Sequence, residues 1–195
     1  MVTALAISKC ISYTDAIKIA LLRGQLSKKV EQEYGGAMMA VLGSENAVNE
    51  IIASNKITVA TACINSPNQL VITGKYDQLD LFRKFAKKRK VICKLLKMEG
   101  QYHCNKFDMV KSTYADFIHS LSYDVPSHTI ISTINGQIIK TGTQIKEELI
   151  NQLTTQVNFV KCILKASQTC GIYIELGNND VFTDILQDIY TYFQL

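Results

Sequence analysis

The chain has 195 residues, 47% of them hydrophobic and 19% charged, with two prolines and a net charge of +4. That length is enough for one substantial core or two small ones, and the apolar content argues against a disordered chain. No apolar run reaches the roughly 18–20 residues that span a bilayer. The opening MVTALAISKCISYTDAIK has no basic start and only a short, interrupted apolar part, so it is not read as a signal peptide.

The first element is an amphipathic helix over residues 14–32, TDAIKIALLRGQLSKKVEQ, with Thr14 as its N-cap. GAMMAVLG (36–43) is a short apolar run between glycines and predicts a buried strand. SENAVNEIIASN (44–55) opens on Ser44 as an N-cap and puts Ala47, Val48, Ile51 and Ile52 on one helical face. KITVATACI (56–64) predicts a strand, NSPNQ (65–69) a turn and LVITG (70–74) a second strand. YDQLDLFRKFAKKR (76–89) has Leu79, Phe82 and Phe85 at helical spacing, and KVICKLLKM (90–98) closes the set as a strand. The order β-α-β-β-α-β is that of a ferredoxin-like sandwich, so residues 36–98 are expected to form a small four-stranded unit inserted into another domain.

The flanks predict that other domain. Residues 106–121 read as a helix, TIISTINGQII (129–139) as a strand, and TQIKEELINQL (143–153) and VNFVKCILKAS (157–167) as helices. GIYIEL (171–176) reads as a buried strand and DVFTDILQDIYTYF (180–193) as a last helix. Helices alternating with strands, without hairpin signals, predict an α/β layer built from residues 1–35 and 99–195.

Six cysteines are scattered with no C-x-x-C and no metal-ligand spacing, which predicts reduced, mostly buried thiols in a cytoplasmic protein and no metal site. The charge excess comes from the run Arg83, Lys84, Lys87, Lys88, Arg89 and Lys90. Its default reading is a solvated helix face, the alternative an attraction for phosphates or an acidic protein. The predicted strands ITVATAC and MMAVL carry no aromatic residue on which bases would stack, which argues against a nucleic-acid partner.

Taken in order, LLRGQL, GAMMAVLG, CINSPNQLVITG, YHC, ISTINGQ, INQLTTQVNFVKCI and IYIELG resemble malonyl-CoA:acyl carrier protein transacylases and the acyltransferase domains of polyketide and fatty acid synthases. No single motif is specific; the ordered spacing carries the resemblance, over essentially the whole chain. It implies an α/β-hydrolase-like domain carrying a ferredoxin-like insert. It also implies a ping-pong transfer of a malonyl-type group from acyl-CoA, through a serine ester, to the phosphopantetheine thiol of an acyl carrier protein. No metal or redox cofactor and no membrane are implied. The family's serine stands in a GHSxGE elbow, a strained strand-to-helix turn that needs small residues on both sides. No G-x-S-x-G occurs in this sequence. The segment after the elbow resembles the stretch that starts at Thr3, so Met1 is expected to fall just after a missing N-terminal part, and the chain alone is expected not to turn over.

Residue by residue, the resemblance makes His103 in QYHC the general base that takes the serine proton and returns it to the departing thiol. Arg23 in LLRGQ becomes the fork that pairs with the free carboxylate of a malonyl group. Gln152 in NQL becomes the residue whose main-chain carbonyl orients the histidine, which leaves its side chain uninformative. Asn65 in INSPNQ lies near the expected substrate cleft, with turn chemistry as the plainer reading. His128 in VPSHT precedes a strand instead of following one and is read as a turn residue; His119, within a helix, is read as structural. Departures are Phe107 where a methionine is common and ELGNND in place of ELGP. A second reading keeps the same residues as a non-catalytic scaffold for carrier-protein or synthase docking.

Overall fold

A computed structural model describes residues 1–176 and 180–194. It begins with α1 (Val2–Ile7) and α2 (Tyr13–Tyr34). Six residues with no side-chain cap leave α1 without a sequence signal. The cap of α2 is Ser12 and not Thr14: the Ser12 hydroxyl accepts the Asp15 N–H at 3.0 Å, and Asp15 adds a carboxylate to the positive helix end. Ser12 is extended (φ −66°, ψ 153°), the conformation a cap requires, whereas Thr14 is already helical.

The middle of the chain follows its periodicity closely: β1 (Ala37–Leu42), α3 (Glu45–Asn55), β2 (Val59–Ser66), β3 (Gln69–Gly74), α4 (Tyr76–Lys88) and β4 (Ile92–Glu99). The strands lie in the order β4-β1-β3-β2, all antiparallel. Period-two alternation sends Met39 and Val41 of β1 and Leu70 and Ile72 of β3 to one face, where they pack against Val48 and Ile51 of α3 and Leu79 and Phe82 of α4. Ser44 caps α3 as expected, accepting the Ala47 N–H at 3.3 Å. The basic run on and just after α4 is exposed throughout, with Arg83 paired to Asp80 and Arg89 to Glu50.

Beyond the sheet, a 3-10 turn (Asn105–Phe107) leads into α5 (Asp108–Ser120). The stretch 129–139 is not one strand. It folds back as β5 (Ile130–Ile131) and β6 (Ile138–Ile139), a short antiparallel hairpin turning through Asn135 and Gly136. Asn-Gly is a turn signal that the apolar pattern around it obscured. Gly136 has φ +75°, and a Cβ there would come within 2.8 Å of the Lys161 main-chain oxygen.

Next come α6 (Gly142–Asn151), β7 (Val157–Asn158), α7 (Phe159–Ala166) and α8 (Val181–Phe193). β7 was expected as the first turn of a helix. Instead it adds to the free side of β2 in parallel, making the sheet five-stranded, and Asn158 then caps α7 by accepting the Lys161 N–H at 3.0 Å. A second core gathers Leu5, Ile19 and Leu26 of the first helices with Tyr114 and Ile118 of α5 and Ile145 and Leu149 of α6.

GIYIEL departs most from expectation. Residues 171–176 form no strand and are not buried: Ile172, Ile174 and Leu176 are 85%, 80% and 84% exposed. An extended apolar segment becomes a buried strand only when another strand takes up its main-chain hydrogen bonds, and among the described residues none lies alongside. Gly177–Asn179, which carry the departure from ELGP, fall outside the described residues.

Candidate active site

The chain leaves β4 through a bend that the glycines make possible. Gly36 has φ +89°, and a Cβ on it would come within 2.5 Å of the Gly74 carbonyl oxygen. That closeness lets the Gly100 N–H reach the Gly36 oxygen at 2.9 Å, and the Gln101 side chain donates to the Gly35 oxygen at 3.3 Å. Two residues on, His103 adopts φ +55°, a left-handed conformation that costs a side-chain-bearing residue on the order of 1 kcal/mol or more. Buried Cys104 and Phe107 on its C-terminal side anchor the distorted residue, and Tyr102 stacks on Phe107 at 5.6 Å.

The half-buried His103 ring has its Nδ1 2.9 Å from the main-chain oxygen of Gln152. A carbonyl oxygen can only accept, so Nδ1 carries the proton and Nε2 keeps its lone pair. Burial lowers the His103 pKa below the ordinary 6.5; the contact with Gln152 opposes that, and the charge of Arg23 reinforces it. The ring is therefore neutral at pH 7, the state a general base needs.

Gln152 ends α6 as its C-cap and is 5% exposed. Its side chain, dismissed in the sequence reading, is engaged at both ends. Arg23 Nη1 donates to Gln152 Oε1 at 2.9 Å, and Gln152 Nε2 donates to Thr133 Oγ1 at 2.7 Å. One residue thus holds His103 by its backbone and Arg23 by its side chain. The guanidinium comes from the middle of α2 and lines an open cleft of about 540 Å³, together with Tyr102, Ser27 and Lys28. With one face on Gln152, the fork keeps donors for an anion.

Asn65 does not join this group. It lies on β2 and not in the turn, at an irregularity between Ile64 and Ser66 where the ladder with β3 shifts register. Among the described residues no hydrogen bond ties it to His103, Arg23 or Gln152. His128 bonds Ser127 at 2.9 Å on the surface, and the exposed His119 sits in the last turn of α5, so neither approaches the site. The sequence reading missed Ser132, Thr133 and Glu148. Glu148 had a signal: three residues after Ile145, it puts a carboxylate on the apolar face of α6, where a leucine would be routine.

The structure thus joins a βαββαβ sheet, widened by β7, to a mainly helical second core, and holds a histidine oriented by a carbonyl beside an arginine. The chain belongs to the acyl transferase domain family, whose profile matches residues 2–191. It is 28% identical over 183 residues to the non-reducing polyketide synthase terA of Aspergillus terreus, covering 93% of this chain and 8% of the synthase. With the malonyl CoA-acyl carrier protein transacylase of Staphylococcus aureus it shares 25% identity over 195 residues, covering 96% of this chain and 63% of that protein. Its fold matches the solved complex of a type II polyketide synthase acyl-carrier protein with its malonyl-transacylase at a TM-score of 0.90 and 21% identity, over 97% of this chain and 63% of that one. The chain therefore spans less than two thirds of the relatives it matches.

Proposed function

We propose that this chain carries the base and the carboxylate-binding side of an acyltransferase site that moves a malonyl-type group from coenzyme A to an acyl carrier protein. The observation that carries the reading is the convergence of His103 and Arg23 on the single residue Gln152. His103 Nε2 takes a serine hydroxyl proton as the oxygen attacks the thioester carbonyl. The same nitrogen returns that proton to the departing coenzyme A sulfur, leaving an acyl-serine. In the second half, Nε2 takes the proton of the phosphopantetheine thiol as its sulfur attacks the ester, and hands it to the serine oxygen. Arg23 holds the distal carboxylate of the acyl group throughout. Proton transfer and acyl exchange account for every step, so the chemistry asks for no metal or redox cofactor.

The nucleophile, in this reading, belongs to a GHSxGE elbow on polypeptide outside residues 1–195, since these residues hold no G-x-S-x-G. Residues 36–98 form its smaller unit and residues 1–35 with 99–195 the larger. What supports that division is the composition of the two main cores, one drawn from residues between 37 and 86, the other from residues between 5 and 30 and between 107 and 153. The carrier-protein partner is supported by a solved relative, a malonyl-transacylase in complex with its acyl-carrier protein. Six free thiols fit a reducing, cytoplasmic setting.

The test supplies a family segment bearing the elbow, in trans or fused ahead of Met1, and follows labelled malonyl transfer from malonyl-CoA to a holo carrier protein. Transfer is expected only with the segment and not with His103→Ala. Acylation of the unsupplemented chain that survives Cys104→Ala overturns the serine assignment; equal transfer by His103→Ala overturns the base.

A further inference from the structure

Gln152 leads through Thr133 to a buried carboxylate. Glu148 stands one turn earlier on α6, its main-chain oxygen accepting the Gln152 N–H at 3.0 Å, and the residue is 6% exposed. Oε2 accepts the Ser132 hydroxyl at 2.6 Å; Oε1 accepts the Thr133 N–H at 2.9 Å and the Thr133 hydroxyl at 3.0 Å. Three donors make this carboxylate tolerable out of water.

The direction of these bonds matters more than their number. Thr133 has one hydroxyl hydrogen, and a carboxylate can only accept it. The hydroxyl oxygen is then the acceptor on its other side, where Gln152 Nε2 donates at 2.7 Å. The amide is accordingly turned with its oxygen to Arg23, which can only donate. A guanidinium at one end and a carboxylate at the other set the sense of every hydrogen bond between them. Arg23 in turn is the charge that bears on the His103 ring, which also meets the main chains of Gln152 and Thr155, and the Met1 amino group lies within reach of both Arg23 and Glu148.

We propose that Glu148 is a positioning residue of the acyl-transfer site: through Thr133 and the Gln152 amide it fixes the guanidinium of Arg23 beside His103. The inference rests on the reading of Arg23 and His103 given above. In Glu148→Gln a donor replaces one accepting oxygen, facing either Ser132, already taken by the Ile134 and Asn135 N–H groups, or the two donors of Thr133. The Thr133 hydroxyl loses its fixed sense, and Arg23 its fixed acceptor.

The test is an NMR titration of the His103 ring in the full chain, assigned against His103→Asn and read without substrate. Arg23→Gln removes the neighbouring positive charge and raises the midpoint. Thr133→Val, near-isosteric and without change of charge, is expected to raise it as well. Glu148→Gln should raise it by less, because the lost negative charge acts in the opposite sense, and neither should raise it further when Arg23 is already Gln. A wild-type or lowered midpoint in both single variants, or shifts that add to that of Arg23→Gln, overturns the proposal. A Glu148 that only stabilised the fold would lower the unfolding temperature and leave the titration in place. Thr133→Val answers the question if Glu148→Gln does not fold. Because the measurement needs no turnover, its failure is separate from failure of malonyl transfer in the completed enzyme.

Discussion

The imidazole of His103 and the main-chain oxygen of Gln152 meet at 2.9 Å across 49 residues of sequence. A backbone carbonyl does here what a carboxylate does in a hydrolase triad: it fixes the tautomer and the ring plane, but it adds no negative charge to stabilise an imidazolium. Burial outweighs the support that this contact gives the protonated ring, so the ring favours its neutral form.

That preference predicts the pH dependence. The His103 pKa lies below 6.5 in the folded chain, so between the two values the unfolded chain binds the extra proton. Stability should be undiminished above pH 6.5, decline as pH falls toward the folded value, and lose nothing more from this group below it. In the completed enzyme the acid limb of kcat/KM should likewise lie below 6.5 and move upward in Arg23→Gln. Paired pH–rate profiles of the two proteins check this, and an acid limb above 6.5 in the unsubstituted enzyme contradicts it.

Arg23 should act on the substrate's charge. Hydrogen bonds to charged groups contribute about 2 kcal/mol, so Arg23→Ala should cut kcat/KM for malonyl-CoA by on the order of 30-fold. Acetyl-CoA should lose far less, shifting the preference toward uncharged groups. Competition between the two thioesters measures it, and an equal loss on both would assign Arg23 a structural role.

The cap assignment on α2, the helix that carries Arg23, separates Ser12 from Thr14. Ser12→Ala removes the acceptor of the Asp15 N–H and should cost about 1 kcal/mol, whereas Thr14→Ala should leave stability nearly unchanged. Thermal unfolding of the two variants decides between them.

Gly136→Ala should be costly, because the glycine is buried against the first turns of α7. The new methyl group meets the Lys161 main-chain oxygen at 2.8 Å from a backbone at φ +75°, and about 1–3 kcal/mol of strain is expected. The hairpin so displaced presents Ser132 and Thr133 to Glu148, so the His103 titration should move with the loss of stability.

The exposed segment should behave in the opposite way. Ile172→Ser with Ile174→Ser removes no buried contact and should change stability by less than about 0.5 kcal/mol, whereas Ile19→Ala, fully buried, should cost about 2–5 kcal/mol. The same double substitution should reduce self-association, because an exposed extended apolar segment invites pairing. Light scattering beside denaturant unfolding separates the two effects.

Local order was legible in the residues themselves. Period-two and helical alternation, Ser44, and the glycines around 36 and 43 identified the βαββαβ unit and left His103 just past its last strand, because such signals act over a few residues. GIYIEL forms no strand for the complementary reason: its alternation describes what the segment can pair with, while pairing depends on a neighbour supplied from elsewhere. The hairpin at Asn135-Gly136 was written in the chain and lay hidden under apolar flanks.

The sequence by itself determined the elements of the βαββαβ unit, their order, most of the helices around it and the residue types of the candidate site. Only the tertiary structure decided that the side chain of Gln152 is the node between Arg23, 129 residues away, and Thr133. Only the packing of α6 against the β5–β6 hairpin turned Glu148 from a charge on an apolar stripe into a fully bonded carboxylate. Hydrogen-bond direction belongs to atoms that meet in space, and no spacing along a chain encodes which donor will face which acceptor.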